Sequence, residues 1–372
     1  MKRNTQLDGL RGLAIVSVVI VHMAEVLFAD IPYSVMVSRV YRLMYAGWLG
    51  VDIFFVLSGF FITRILVEDR HRPDYWSRFY LRRAGRILPA LLAVFVVSFV
   101  YLRVAQPQIR LGAAVLLPAV FFLENWTVLN GATMPLLSQI WSLAIEEQFY
   151  LLWPWSAKRL SEWQLLRLSM ALIAICELTR FGLAVAHAPA AFPYALTPSR
   201  MDGIALGAAM ALAMRSHRLR AKLFRSWAWI AGISALALAG CYFGLHGTLT
   251  ALDVRSQILA IPPVITLSAM LIFASEEGLL PRVLGNTLET PALRYLGRRS
   301  YGLYLIHYPI SILMIQSRTQ GALRRLPPGI SVNAGLVVLW LAITLLLTET
   351  SFRLLEAPIL RRTHATDESQ LT

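Results

Sequence analysis

Charge is scarce in this chain. Asp, Glu, Lys and Arg make up 15% of its 372 residues, where a soluble domain of average composition carries about 25%. Hydrophobic residues reach 57%, which excludes both an ordinary soluble enzyme and a disordered tail as the bulk of the chain. The longest polar stretches are loops such as 68–86 and the tail 361–372, too small to bury cores of their own. Cysteine is almost missing: Cys176 and Cys241 both sit in apolar segments, so no disulfide framework, cysteine metal site or redox chemistry is expected. The chain has no P-loop, GxGxxG or GxSxG motif, no sustained internal repeat and no low-complexity tract. We expect no bound metal.

What the chain has is apolar runs of membrane-spanning length. Candidate spans are 10–28, 45–67, 88–104, 138–156, 165–186, 200–214, 227–245, 256–274, 299–316 and 332–354. The expected fold is therefore an all-α integral membrane protein, a polytopic bundle of about ten transmembrane helices over residues 1–360, followed by a short cytoplasmic polar tail, 361–372. The first run has no clear small-x-small cleavage site and reads as a retained anchor. The net charge of +14 comes from arginine-rich loops between spans, as the positive-inside bias requires, and not from a nucleic-acid surface. Those loops share the cytoplasm with both termini only if 112–123, which contains Pro118, is a re-entrant or interfacial segment and does not cross. Arg318, Arg324 and Arg325 run against this topology, which puts them outside. Two GxxxG patterns, Gly203 with Gly207 and Gly240 with Gly244, offer close helix approach.

Polar side chains interrupt the spans at a few places, and an ionisable group there is costly enough to mark a pathway or reaction site. In LDGLRGLAIVSVVIVH, Arg11 and His22 project from one helix face about 16 Å apart, with Asp8 one turn before Arg11 as a local partner. In GVDIFFVLSGF, Ser58 lies among aromatics, and Asp52 falls near the outer boundary, where water can solvate it. The loop RRAGRILP places Arg82, Arg83 and Arg86 where the third span begins. Guanidinium forks there suit phosphate, although anchoring to anionic lipid explains any one of them equally well. In QIWSLAIEEQFYLLWP, Ser142, Glu146 and Glu147 stand in an apolar helix, and a desolvated carboxyl can act as acid or base near neutral pH. An interhelical pair with Arg11 or Arg200 is the competing reading. Arg200 and Asp202, in SRMDGIALG, can pair locally or form a gate. Tyr301, Tyr304 and His307, in LGRRSYGLYLIHYPI, recur at three-residue spacing on roughly one face.

Taken in order, LDGLRG with its Arg11–His22 pair, GVDIFFVLSGF, RRAGRILP, WSLAIEEQFYLLWP, RMDGIALG and SYGLYLIHYPI resemble the membrane-bound acyltransferase family 3, integral membrane O-acyltransferases of extracytoplasmic glycans. The resemblance runs from about residue 5 to 360. It implies that Arg11 and His22 are the defining functional pair, that Arg83 and Arg86 are the paired arginines at the cytoplasmic end of the third span, and that acyl-CoA, usually acetyl-CoA, is the donor. It also implies a bacterial inner-membrane location. No fused hydrolase-like domain is seen, so the expectation is direct transfer by the membrane domain or help from a separate extracytoplasmic partner protein.

On this reading the arginines hold the CoA, and His22 is a general base or transient acyl carrier for an acceptor hydroxyl, oriented by Glu147. Tyr301 and Tyr304 help to line the donor site. The acceptor is a glycan or another hydroxylated molecule beside membrane lipid. Two other classes stay open: a transporter or flippase of a lipid-linked sugar, and a sensor that binds acyl-CoA without turnover.

Overall fold

The computed structural model describes residues 4–30 and 39–358; the tail 361–372 lies outside the described residues. Among the described residues the regular structure is helical, with no strand. The long apolar runs satisfy their backbone groups internally, as a segment in hydrocarbon must.

In chain order the helices that position the site are α1 (Thr5–Leu27), α2 (Arg39–Tyr45), α3 (Gly50–Glu68), α4 (Tyr75–Ala105), α5 (Ala113–Val120), α6 (Trp141–Arg159), α7 (Glu162–Val185), α8 (Ala191–Ala195), α9 (Thr197–Arg200) and α10 (Asp202–Arg215). They continue through α11 (His217–Gly244), α12 (Val254–Glu276), α13 (Arg282–Leu288), α14 (Pro291–Arg298), α15 (Ser300–Thr319) and α16 (Ile330–Ser351). α1 starts at Asn4, whose side chain accepts the Gln6 N–H at 3.0 Å, an N-cap. Prolines 89, 154, 262, 263 and 309 lie inside helices, a tolerance common where neighbouring helices re-satisfy the freed carbonyls.

All ten expected positions hold helices. Among the described residues, seven segments are long and apolar enough to cross a membrane: α1, the run Arg39–Glu68, α4, α7, α11, α12 and the run Ile330–Glu356. The other three positions hold α6, α10 and α15, and the reason they fall short is physical. α10 has only 14 residues. α6 carries Glu146, Glu147 and Gln148, and α15 carries His307 and Arg318. Segment 112–123 holds α5, whose eight residues make about 12 Å of helix, shorter than the roughly 30 Å of a hydrocarbon core.

Two glycine contacts set the geometry. A Cβ on Gly207 would fall 2.0 Å from the Val56 carbonyl oxygen, and one on Gly59 would fall 1.8 Å from that of Ile204, so α3 and α10 touch backbone to backbone. At the start of α1, a Cβ on Gly12 would fall 2.1 Å from the Leu293 carbonyl oxygen. Gly12 thus seats α14 against α1, and Gly9, where a Cβ would fall 1.8 Å from the Leu288 carbonyl oxygen, seats the end of α13, with Arg11 between them. Gly240 and Gly244, by contrast, have nothing within 4 Å of an added Cβ; the second GxxxG pattern packs no helix here.

Arg318 does not disturb the charge bias as the sequence suggests. It is buried, its guanidinium 2.5 Å from Asp30 and donating to the carbonyls of Leu323, Leu326 and Pro327, so its charge is neutralised inside the protein. Arg324 and Arg325 stay exposed on the following turn.

Candidate active site

Helices α1, α3, α4, α6 and α15 enclose a cavity of about 320 Å³. Arg11 enters from α1, Ser58 from α3, Arg83 and Arg86 from α4, Ser142, Glu146 and Tyr150 from α6, and Ser300, Tyr301 and Tyr304 from α15. Helical spacing explains each set: Ser142, Glu146 and Tyr150 recur every four residues along one face, and Arg83 and Arg86 lie one turn apart. Sequence reasoning had all of them except Tyr150 and Ser300. Tyr150 was readable, because it stands four residues after Glu146.

The lining is ordered by aromatic and hydroxyl contacts. The Arg11 guanidinium lies 4.4 Å from the centre of the Phe61 ring, and that of Arg83 lies 3.9 Å from the centre of Tyr150, cation–π distances. Tyr150 donates its hydroxyl hydrogen to Glu146 Oε2 at 2.8 Å, so the Ser58 hydroxyl, in close contact with the Tyr150 oxygen, is the donor of that pair. Tyr301 donates to the Ile87 carbonyl at 2.7 Å. Tyr304 donates to the Gln139 carbonyl at 2.8 Å, leaving Ser142 to donate to Tyr304 at 2.6 Å. Glu146 lies within electrostatic reach of Arg11, Arg83 and Arg86, and Glu356 of Arg86, without a direct ion pair to any of them among the described residues.

The remaining polar residues sort differently from expectation. Of three consecutive polar residues in α6, only Glu146 lines the cavity. Glu147 lies within electrostatic reach of Arg83. Gln148 faces α5 and α9, donating to Phe122 and Asn125 and accepting from Thr197. Arg82 is not part of the lining, and Asp8 is buried within electrostatic reach of Arg11. Asp52 is fully buried rather than solvated, and its partner is Arg200 at 3.0 Å, itself fully buried. Phe55, Trp141 and Tyr194 surround the Arg200 guanidinium. Asp202 pairs with Arg180 of α7, not with Arg200. These pairs join helices; none is a gate on the cavity.

His22 stands apart from the cavity lining and reaches it through a second histidine. Its Nδ1 is 2.7 Å from Glu25 Oε2, so the carboxylate beside His22 is Glu25, one turn on, and not Glu147 as expected from sequence. The i, i+3 spacing of His22 and Glu25 was the signal that was missed. The His22 ring centre lies 5.1 Å from that of His307 and 5.0 Å from Tyr308. His307 is fully buried, and its ring lies 5.7 Å from Tyr304. The run His22, His307, Tyr304 leads from the Glu25 end of α1 into the arginine-lined cavity. No group of three or more His, Cys, Asp and Glu side chains able to hold a metal occurs among the described residues.

A helical bundle with several membrane-spanning segments, enclosing a polar, arginine-walled cavity approached by a histidine–carboxylate pair, is an integral membrane protein built around a buried reaction-type site. The sequence matches the acyltransferase 3 family, described as an acyltransferase domain, over residues 4–348, and the chain belongs to that family. It is 29% identical over 400 aligned residues to the peptidoglycan O-acetyltransferase OatA of Listeria monocytogenes, covering 96% of this chain and 57% of that protein. It is 26% identical to the O-acetyltransferase OatA of Staphylococcus aureus over 96% of this chain and 57% of the relative. It is 28% identical to the putative peptidoglycan O-acetyltransferase YrhL of Bacillus subtilis over 95% and 54%. The chain spans about half the length of the curated relatives it matches. No solved structure matches.

Proposed function

We propose that this protein is a membrane O-acetyltransferase that moves an acetyl group from acetyl-CoA to a hydroxyl of an extracytoplasmic glycan of the peptidoglycan class. The observation that carries the reading is the cavity wall, where Arg11, Arg83 and Arg86 gather around Glu146 as the one lining carboxylate among the described residues, an excess of positive charge. Cations held in a helical bundle are costly without a counter-charge, and the phosphates of CoA supply one that guanidinium forks bind bidentately. The cavity of about 320 Å³ is near the lower bound for small-molecule sites. It takes the thioester end of the donor and leaves the nucleotide at the arginine-rich mouth, which we place at the cytoplasmic face of a bacterial inner membrane, with both termini on that side.

Glu25 holds His22 by Nδ1, so His22 Nε2 is the base. It takes the proton of the acceptor hydroxyl, and the oxygen attacks the thioester carbonyl. The C–S bond breaks, and the proton passes from the imidazolium to the departing thiolate, giving an acetyl ester and CoA thiol. The direct test is transfer of labelled acetyl from acetyl-CoA to an alkali-labile ester in the envelope of expressing cells, native against His22→Ala at matched membrane abundance. Ester formed by the native protein alone supports the reading. Equal ester from both overturns the role of His22, and no ester from either, with peptidoglycan present, overturns the acetyltransferase reading.

A further inference from the structure

His307 is the buried titratable group that the mechanism above leaves unused. Its Nδ1 lies 2.9 Å from the Leu303 carbonyl oxygen of its own helix. A carbonyl can only accept, so Nδ1 carries the hydrogen and the lone pair of neutral His307 is on Nε2. That Nε2 is buried and has no hydrogen-bond partner among the described residues, which is unusual for a buried polar atom. The backbone around it is clamped: the His307 carbonyl accepts from Trp340 of α16 at 2.9 Å.

Other donors nearby are already committed. Tyr304 gives its hydrogen to Gln139, and Ser142 gives its own to Tyr304. The nearest ring is that of His22, whose centre is 5.1 Å away, against 5.7 Å for Tyr304 and 6.5 Å for Tyr308. An N–H···N bond of about 2.9 Å between two imidazoles sets their ring centres about 5 Å apart. The two rings therefore already have the separation of a bonded pair, and turning the His22 ring, tilted 52° to its neighbour, aligns it.

We propose that His307 is a positioning residue for acyl transfer: its tautomer, fixed by Leu303, presents Nε2 as the acceptor for the Nε2–H of the His22 imidazolium. This rests on the acetyltransferase reading. When His22 has taken the acceptor's proton, both its ring nitrogens carry hydrogen. Glu25 accepts one and His307 the other, until the proton passes to the thiolate. The bond exists only in the charged state, so it strengthens along the reaction and acts on kcat more than on KM.

Three replacements separate this role from packing. His307→Gln keeps an acceptor near the Nε2 position. His307→Asn keeps a donor to Leu303 and loses that acceptor, and His307→Phe keeps bulk alone. Each is purified in detergent, checked by its melting temperature, and assayed for acetyl-CoA-dependent transfer. The expected result is a kcat fall of roughly 10- to 100-fold in His307→Asn, the range for losing a hydrogen bond to a charged group, with KM for acetyl-CoA near native and substantial recovery in His307→Gln. Native-like kcat in a folded His307→Asn or His307→Phe overturns the inference and leaves the acetyltransferase reading standing, as does a loss in His307→Gln equal to that in His307→Phe. A native protein that transfers nothing overturns both.

Discussion

Two sets of arginines inside the same bundle behave in opposite ways. Towards one end Arg180, Arg200 and Arg318 are buried, and each holds a carboxylate: Asp202, Asp52 and Asp30. At the other end Arg11, Arg83 and Arg86 converge on a cavity whose one lining carboxylate among the described residues is Glu146, in direct ion pair with none of them. A buried charge that is paired links one helix to another. A set of cations that outnumbers the carboxylates around a space leaves positive charge available to an anion from outside. The contrast distinguishes scaffold from site more sharply than residue type, since all six are arginine.

The largest effect should come from breaking a paired arginine. Arg200→Met leaves Asp52 fully buried without its cation, and removing one partner of such a pair costs about 3–5 kcal/mol. We expect a sharply lower melting temperature in detergent, or no folded protein. Adding Asp52→Leu to Arg200→Met should recover much of the loss, because the unpaired carboxyl goes with it. If the double variant melts no higher than the single one, the pair is not the scaffold element described here.

A cavity arginine should show the converse. Arg86→Gln removes a cation that lies within electrostatic reach of Glu356 and Glu146 but is in no direct ion pair with either, so the melting temperature should fall less than in Arg200→Met. Binding of acetyl-CoA should weaken roughly 10- to 100-fold, the loss of about one charged hydrogen bond. The measurement is KM for acetyl-CoA, or direct calorimetric titration of the purified protein. A variant that unfolds while binding of the survivors is unchanged would place Arg86 with the paired set.

How far this division was legible in the sequence follows from the range of the interactions. Helix positions were readable because hydrophobic run length is local, and so were Arg83 with Arg86 and Ser142 with Glu146, which share a face by spacing alone. Choosing among Glu146, Glu147 and Gln148 was not. Adjacent helical residues point about 100° apart, and which one turns to the cavity depends on α3, α4 and α15. Asp52 with Arg200, and Asp202 with Arg180, join different elements, so a local pairing of Arg200 and Asp202, one of the two readings open from sequence, does not form. Glu25 was within reach of local reasoning, but it lies beyond the motif that drew attention to His22.

Glu124 offers the mildest test, because it is the converse of the cavity arginines: a buried carboxylate with no cation. It lies in the short turn Glu124–Leu129, outside the membrane-spanning segments. Its Oε1 accepts the Met134 N–H at 2.8 Å, while Oε2 is buried without a partner. Burial pushes its pKa up to about 7 from 4.5, opposed by that one hydrogen bond. A carboxyl whose folded pKa is raised stabilises the fold fully below its unfolded value, and the contribution is lost as pH rises through the folded one. The native melting temperature should therefore fall between pH 5 and pH 8 by more than that of Glu124→Gln, which has no proton to lose. A rise from 4.5 to about 7 is equivalent to roughly 2–3 kcal/mol over this pH interval, so we expect a difference of several degrees. Parallel curves for the two proteins would mean that an arginine or water reaches Glu124, and the far end would then hold no unpaired charge to set against the cavity.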